Sequence, residues 1–437
     1  SAGDGSTGVE LWAHNTSNHS TWQVKDIRSG SNSGAPGSNM MHVINGVLYF
    51  NAHDGNAGME LWKHDPSTDT TLRVKDINPG GTGSSTGKWI NMVVGDVLYF
   101  SATDGSTGQE LWAYNTSNSS NPWRVMDINS GGTGSEPGMN MNVLVGETIY
   151  FDAGATGGRE LWAHNSSNQS TWRVVDIRTG SIGSEPGDRM ALLVGDTIYF
   201  DADDGSTGYE LWAHDTSNHS TWRVADIYSG SPASNPGDSM SILVGNALYF
   251  SANDGSTGYE LWAHDTSNHS TWQVVDVDPS TYGGISSSYP GDYMAVPMGD
   301  TIYFSAANAW GEELWAHDTS NRSTWRVADI YSGVTGGAPG YWMEILVGDT
   351  LYFSANDGST GHELWAHQPS RIDYNTNTGG AVTSWEINAS LPSGVSFGTS
   401  NGTIYGTPTQ LWTQTSYMVW ANNSGGSSVA YLNITVN

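Results

Sequence analysis

The tripeptide Glu-Leu-Trp begins at residues 10, 60, 110, 160, 210, 260, 313 and 363, so a unit of about fifty residues recurs along most of the chain. Repetition at that length leaves few folds open. Each unit is one supersecondary block that buries its apolar face only against its neighbours. Three further signals lie between successive copies. A segment of the type Thr-Trp-Arg-Val-Ala-Asp-Ile ends at Ile27, Ile77, Ile128, Ile177, Ile227, Val277 and Ile330. A short apolar run such as MSILVG (240–245) follows, and then Leu/Ile-Tyr-Phe at 48–50, 98–100, 149–151, 198–200, 248–250, 302–304 and 351–353.

Each segment is short, rich in Val, Ile, Tyr and Trp, and bounded by Gly, Asn, Asp or Ser, which is strand chemistry. No stretch carries a 3.6-residue apolar period long enough for a helix. The unit therefore reads as four strands: an inner strand (MSILVG), an LYF strand, an ELW strand and an outer strand (TWRVAD). Dipeptides such as Gly195-Asp196 suit a two-residue hairpin turn between the first two. DGSTG joins the second to the third, and DTSNHS the third to the fourth. The link from the outer strand to the next inner strand is the longest, with Pro-Gly in six of seven cases. Four-stranded units with a long link after every fourth strand predict an all-β chain: a seven-bladed β-propeller over residues 1–368. The inner, LYF and outer strands each occur seven times and the ELW strand eight times. Closure of the ring by both termini therefore leaves Val9–His14 and His362–His367 competing for one place.

The phrase DGxxGxELWxxD with VxDI and LYF resembles the ELWxxDGT repeat of secreted and surface proteins in prokaryotes. It departs from that pattern where AHDTSN or AHNTSN replaces DGT. The resemblance implies an extracellular propeller-like array and no particular chemistry. Residues 369–437 differ in character. LPSGVSF, GTIYGTPT and ANNSGGSS resemble an immunoglobulin-like module of prokaryotic surface proteins, which implies a small C-terminal β-sandwich. Only about a dozen residues separate His367 from Gly379, so this module is expected to lack its first strand.

The chain has 437 residues and a formal net charge of −29, which repels nucleic acid and anionic lipid. No apolar run is long enough to span a membrane, and no basic-then-apolar start is present, so any signal peptide is expected to have been removed or to lie outside this chain. Cysteine is absent.

Candidate chemistry is sparse. The DGxxGxE phrase could offer Ca²⁺ oxygen ligands, with Asp204, Glu210, Asp254 and Glu260 as the weak candidates. The competing reading makes Asp-Gly a turn and pairs the Glu with an outer-strand Arg such as Arg223. Histidine follows ELW in seven copies (His14, His64, His164, His214, His264, His317, His367) with Tyr114 in the eighth, a pattern expected to serve hydrogen bonding at a loop edge. Methionines 41, 141, 190, 240, 294 and 343 are expected to pack at the channel. No catalytic triad or carboxylate pair is visible, so no catalytic residue is assigned. Tyr282, Tyr289, Tyr293, Trp310 and Trp342 lie where the repeat breaks, around 279–313 and 342, and could form an aromatic sugar-binding surface. Thirteen Asn-x-Ser/Thr sequons occur: Asn15, Asn18, Asn115, Asn118, Asn165, Asn168, Asn218, Asn268, Asn321, Asn388, Asn401, Asn422 and Asn433. Most fall in the ELW-to-outer loop, an exposed rim suited to N-glycans.

These readings favour a non-enzymatic extracellular or cell-surface structural protein. Its partners would be other copies of itself, joined into a filament or layer by strands exchanged between chains. A carbohydrate-binding or adhesion propeller is the alternative, with a glycan hydrolase or lyase behind it. No cofactor is implied apart from possible Ca²⁺.

Overall fold

The structure, a computed structural model, describes residues 1–118, 120–279, 287–368, 383–399, 404–406, 409–410, 412–423 and 426–436. The chain divides into two compact units, residues 1–344 with 353–365 and residues 345–352 with 366–437. Every regular element among the described residues is a β-strand.

Six sheets contain four strands each, in chain order from inner to outer. In one of them, Ser241–Val244 pairs with Ala247–Asn253, which pairs with Tyr259–Asp265 and then with Ser270–Val275. The pairing is antiparallel throughout, with Ser241 opposite Phe250 and Ala252 opposite Glu260. The ladder shifts register between Leu261 and Trp262, opposite Val275 and Gln273. The same bulge recurs at Leu61/Trp62, Leu161/Trp162 and Leu211/Trp212. A bulge bends and twists an outer strand.

Sheets pack face to face in sequence order. Met141, Tyr150, Leu161 and Ala163 of one sheet bury against Ile198, Phe200 and Ala202 of the next, with Trp212 at the edge. The next pair repeats the pattern with Met190, Tyr199, Leu211 and Ala213 against Leu248, Phe250 and Ala252. Burying one such Phe is worth about 2 kcal/mol, and each junction repeats it. Neighbouring inner strands also lie side by side, as Asn142–Val145 does with Ala191–Val194. This is a propeller-like array.

Two expectations need correction. The methionines sit between sheets rather than along a channel: Met141, Met190 and Met294 are each 2% exposed. The equivalent residue in the first complete sheet is Met40, also buried, while Met41 lies in the inner strand opposite Phe50 and is 65% exposed. The Pro-Gly of the following link explains the buried position. A Cβ on Gly187 would lie 2.5 Å from Cβ of Met141, and one on Gly237 2.6 Å from Cβ of Met190.

The ends differ from the expected shared blade. Ala2–Gly3, Val9–Asn15 and Ser20–Lys25 form one three-stranded sheet, and Glu344–Val347, Thr350–Asn356 and His362–His367 form another. The two competing ELW strands thus each occupy a sheet of their own, because each has a local hairpin partner. Ala2 pairs with Glu10 as Ala52 pairs with Glu60; among the described residues, no inner strand pairs in the first sheet and no outer strand in the last.

The second unit holds an antiparallel sheet of Ser384–Ile387, Trp412–Asn423 and Gly426–Val436 and a hairpin of Val395–Phe397 with Ile404–Gly406. Trp385, Tyr417 and Ala421 are its buried side chains. The expected absence of a first strand concerns residues 369–382, which lie outside the described residues.

Histidine after ELW does more than cap a loop. Nδ1 of His164, His214, His264 and His317 lies 2.8 Å from a Thr hydroxyl on the outer strand. The ring also packs on the LYF tyrosine of the preceding sheet, with centroids 5.0 Å apart for Tyr99–His164 and 5.3 Å for Tyr150–His214. Tyr114 takes the same place against Tyr49 at 5.8 Å. Nε2 of His164, His214 and His264 is buried without a partner. Burial accordingly holds these three rings down at about 4. A depressed folded pKa gives stability that is full above the unfolded value of about 6.5 and is lost as pH falls toward 4. Replacing all three by Tyr, the chain's own alternative, should remove a penalty of about 2 kcal/mol per site at pH 5 relative to pH 7.5. Thermal melts of H164Y/H214Y/H264Y should show the Tm at pH 5 rising relative to that at pH 7.5. A difference equal to that of the parent chain would refute the assignment.

Candidate functional site

The array has two rims. One carries the LYF-to-ELW turns and the long links, which touch through bonds such as Asn253 N–H to Ser234 O at 2.9 Å. The other carries the inner-to-LYF turns and the ELW-to-outer loops, joined by Thr216 N–H to Asp196 O at 2.8 Å.

On the first rim, Oδ1 of Asp204 accepts the amides and hydroxyls of Ser206 and Thr207 at 2.8–3.1 Å. Partial burial works against ionisation, but these four bonds hold Asp204 at about 2. Glu210 points the other way, into the sheet, and is fully buried. It accepts the Ile227 amide at 2.7 Å, the Ser234 amide at 3.1 Å and the Ser234 hydroxyl at 2.7 Å. Burial still raises its carboxyl to about 7. Arg223 therefore does not pair with Glu210. It pairs with Asp204 at 3.4 Å and Asp226 at 3.7 Å. Asp254 and Glu260 repeat the arrangement with Ser256, Thr257, Val277 and Ser288. The Ca²⁺ candidates are thus not brought together, because each carboxylate is satisfied in its own turn or sheet. The described residues hold no cluster of three metal-ligating side chains.

The aromatic candidates do share that rim. Tyr289, Tyr293 and Trp342 lie on the long links, and Trp310 on an LYF-to-ELW turn. Tyr289 stacks on Tyr259 at 5.3 Å. Tyr293 meets Tyr341 edge-on at 4.9 Å, and Tyr341 meets Trp342 edge-on at 4.7 Å. His362 lies 5.5 Å from Tyr341 and 6.2 Å from Trp342. Trp342 is 70% and Tyr341 47% exposed. Glu312 faces the same region: burial raises its carboxyl to about 7, with Asp292 and Glu313 adding to the shift, and its Oε1 is enclosed without a partner. Trp310 stays apart, 63% exposed and without a ring contact among the described residues. Tyr282 lies outside the described residues. Tyr341 and His362 escaped the sequence reading. The signal for both was present: they depart from the repeat at the positions after Pro-Gly and before Glu-Leu-Trp.

Farther round, the same rim is ionic. Arg159 bonds Asp152 at 2.5 Å and lies 3.1 Å from Glu136 and 3.4 Å from Glu185. Arg189 meets buried Asp201 at 3.2 Å and covers the Tyr209 ring at 4.4 Å.

On the opposite rim the sequons divide by geometry. Oδ1 of Asn15 accepts the Ser17 amide at 2.9 Å and its hydroxyl at 2.6 Å, and Asn165 does the same with Ser167. Asn115 repeats this with Ser117. Asn18 and Asn168 stand at the exposed loop tip, bonded through Oδ1 to Ser20 and Ser170. Asn118 holds Ser120 in the same way. Asn218, Asn268 and Asn321 donate Nδ2 to Asp215, Asp265 and Asp318 at 2.6–2.8 Å. In the second unit, Oδ1 of Asn388 accepts the Met418 amide and Asn422 accepts the Thr383 amide. Asn433 lies in the last strand, and Asn401 lies outside the described residues.

Residues 356–437 match the family described as "Putative Ig domain". The match takes in His362–His367, so the last ELW strand lies inside it. No curated protein matches the chain. Among solved structures, a prolyl endopeptidase studied for inter-domain dynamics is similar at 11% identity and a TM-score of 0.40. That match covers 88% of this chain and 54% of the other, about half of the endopeptidase. TolB from Acinetobacter baumannii is similar at 12% identity and a TM-score of 0.30, over 65% of this chain and 63% of that one. An oligogalacturonate lyase in complex with manganese is similar at 13% identity and a TM-score of 0.37, over 74% and 86%. Similarities at this level carry no argument about chemistry.

Because the turn carboxylates are already satisfied, added Ca²⁺ and EDTA should both leave the Tm at pH 7.5 where it is. A rise with Ca²⁺ that EDTA reverses would overturn this reading of Asp204 and Glu210.

Proposed function

We propose that the chain is a non-catalytic structural protein of the cell surface or extracellular space, whose copies join end to end. The carrying observation is the state of the last sheet. Met343 and Leu364 are 40% and 65% exposed, whereas their counterparts Met294 and Leu314 are 2% and 1% exposed beneath the next sheet. Exposure of these positions supports a further sheet packing on that face. Strand inventory supplies the second argument. Each end sheet has three strands, and the inner and LYF strands of the last with the ELW and outer strands of the first would make up one four-stranded blade. The family match reaches back over His362–His367. If that strand serves the Ig-like sheet of its own chain, the place it leaves fits Val9–Asn15 and Ser20–Lys25 of a neighbouring copy. A head-to-tail contact of this kind extends into a filament unless rotation closes it.

The test is electron microscopy of native material beside a Leu364→Asp variant. Leu364 is exposed, so the variant should keep the parent's circular dichroism. Filaments from the parent and single particles from the variant are the expected result. Single particles from both would refute end-to-end joining.

Surface exposure fits N-glycosylation of the loop rim. Glycan transfer needs a free Nδ2. At Asn18 and Asn168 that atom makes no hydrogen bond among the described residues, whereas Asn165 donates Nδ2 to Thr148 at 2.9 Å. Glycopeptide mass spectrometry of native protein should find Asn18 and Asn168 occupied more fully than Asn165. Equal or reversed occupancy would count against loop geometry as the selector.

A further inference from the structure

Five departures from the repeat converge on one spot. The residue two after Pro-Gly is Asn, Ser or Arg in four other links, but Tyr293 and Trp342 in the last two. The residue just after Pro-Gly is Asp188, Asp238 and Asp292 in three links, but Tyr341 in the last. The residue before the ELW glutamate is Val9, Met59 or Gln109 early in the chain, but Glu312 and His362 at the end. Sheet packing alone does not demand these choices, since the same scaffold accepts small or polar residues there. In space they form one patch: Tyr293, Tyr341, Trp342 and His362 in successive ring contact, with Glu312 beside them.

We infer that this patch binds neutral saccharide units. The edge-to-face contacts fix the rings, so the exposed faces of Trp342 and Tyr341 are presented without a large loss of side-chain freedom. Flat, rigid, exposed aromatic faces suit the C–H surface of a pyranose. Glu312 lies beneath Tyr293 with its Oε1 enclosed, so it backs the rings from below and the sugar would meet the exposed aromatic faces. The imidazole of His362 adds a polar group at the rim of the rings. Charge narrows the class. The cluster contains neither Lys nor Arg, Asp292 sits next to Tyr293, and the whole chain carries −29. Uronic-acid polymers would be repelled. The site keeps His362 in the last sheet; if a neighbouring copy's Val9 took that place, Tyr293, Tyr341 and Trp342 would remain, so sugar binding and end-to-end assembly are tested separately.

Isothermal titration of the full chain with neutral hexasaccharides of glucose, mannose and N-acetylglucosamine is the test, with a hexagalacturonate as the charge control. At least one neutral sugar should bind, and the hexagalacturonate should bind more weakly or not at all. Trp342→Ala should weaken binding about tenfold or more, the scale of one lost aromatic stack. Trp310→Ala removes an equally exposed indole outside the cluster and should leave binding unchanged. Both sites are exposed, so both variants should fold. Absence of binding to all three neutral sugars would overturn the inference, as would equal losses from the two tryptophan variants. A Trp342→Ala variant that disrupts filaments but keeps sugar binding would assign the patch to contact between copies instead.

Discussion

The array depends on a buried carboxylate. In seven of the eight repeats the ELW glutamate closes two backbone segments onto its own strand. One is the end of the outer strand: the amides of Ile27, Ile77, Ile128, Ile177, Ile227, Val277 and Ile330 lie 2.7–3.0 Å from a carboxylate oxygen. The other is the long link, through Gly34, Ser84, Ser135, Ser184, Ser234, Ser288 and Gly337. A hydrogen bond to a charged group contributes about 1.5–3 kcal/mol, and several are required here because each carboxylate gives up its water. The balance is close, as the rise of Glu210 and Glu260 to about 7 indicates. The eighth glutamate, Glu363, stands exposed, with no outer strand or link among the described residues to close onto it.

This clasp explains what the repeat tolerates. The link after Glu260 is four residues longer than the others, yet Ser288 still reaches the carboxylate at 3.0 Å, 28 residues along instead of 24. Length can be added to the link as long as the bonding serine returns to its place. With that point fixed, Pro-Gly delivers the chain beneath the methionine of the preceding sheet, and the next inner strand starts in register. The clasp is thus a local device with a long-range result, since it sets where each new sheet begins.

Strand order, turn chemistry and the two rims were legible in the sequence because each rests on short-range rules. What was not legible depended on backbone or on distant segments. The partner of Glu210 is a set of amides, and amides leave no trace in residue identity, so Arg223 was the obvious but wrong choice. The doublet Met40-Met41 offered two registers for one slot, and only pairing with Phe50 separates them. The histidine pattern gave a hydrogen-bond role but neither its Thr partner nor its packing on the tyrosine of the preceding sheet, which is a contact across some sixty residues. The fate of the two spare ELW strands turned on pairing between the ends of the chain, where hairpins of short loop compete with closure over more than three hundred residues. Of the aromatic patch, Tyr293 and Trp342 were read as breaks in the repeat. Tyr341 and His362 also break it but were passed over, because their importance lies in the rings they touch.

The position before the ELW glutamate illustrates how such a scaffold acquires specificity. Its backbone carbonyl shares the clasp, accepting the link amide as Tyr209 O does from Ser234 at 3.0 Å, while its side chain is left to the rim. Arg159 there answers a buried Asp152, a charge that needs a partner once it leaves water. Tyr209 there lies under the Arg189 guanidinium, Tyr259 stacks on Tyr289, and Glu312 faces Tyr293. Each choice is paired with a matching residue on a link, so ionic and aromatic sectors alternate on one rim over an unchanged core. A repeat whose stability resides in its buried glutamate, tyrosine and phenylalanine can change these rim pairs at little cost to folding, and chemical individuality is concentrated there.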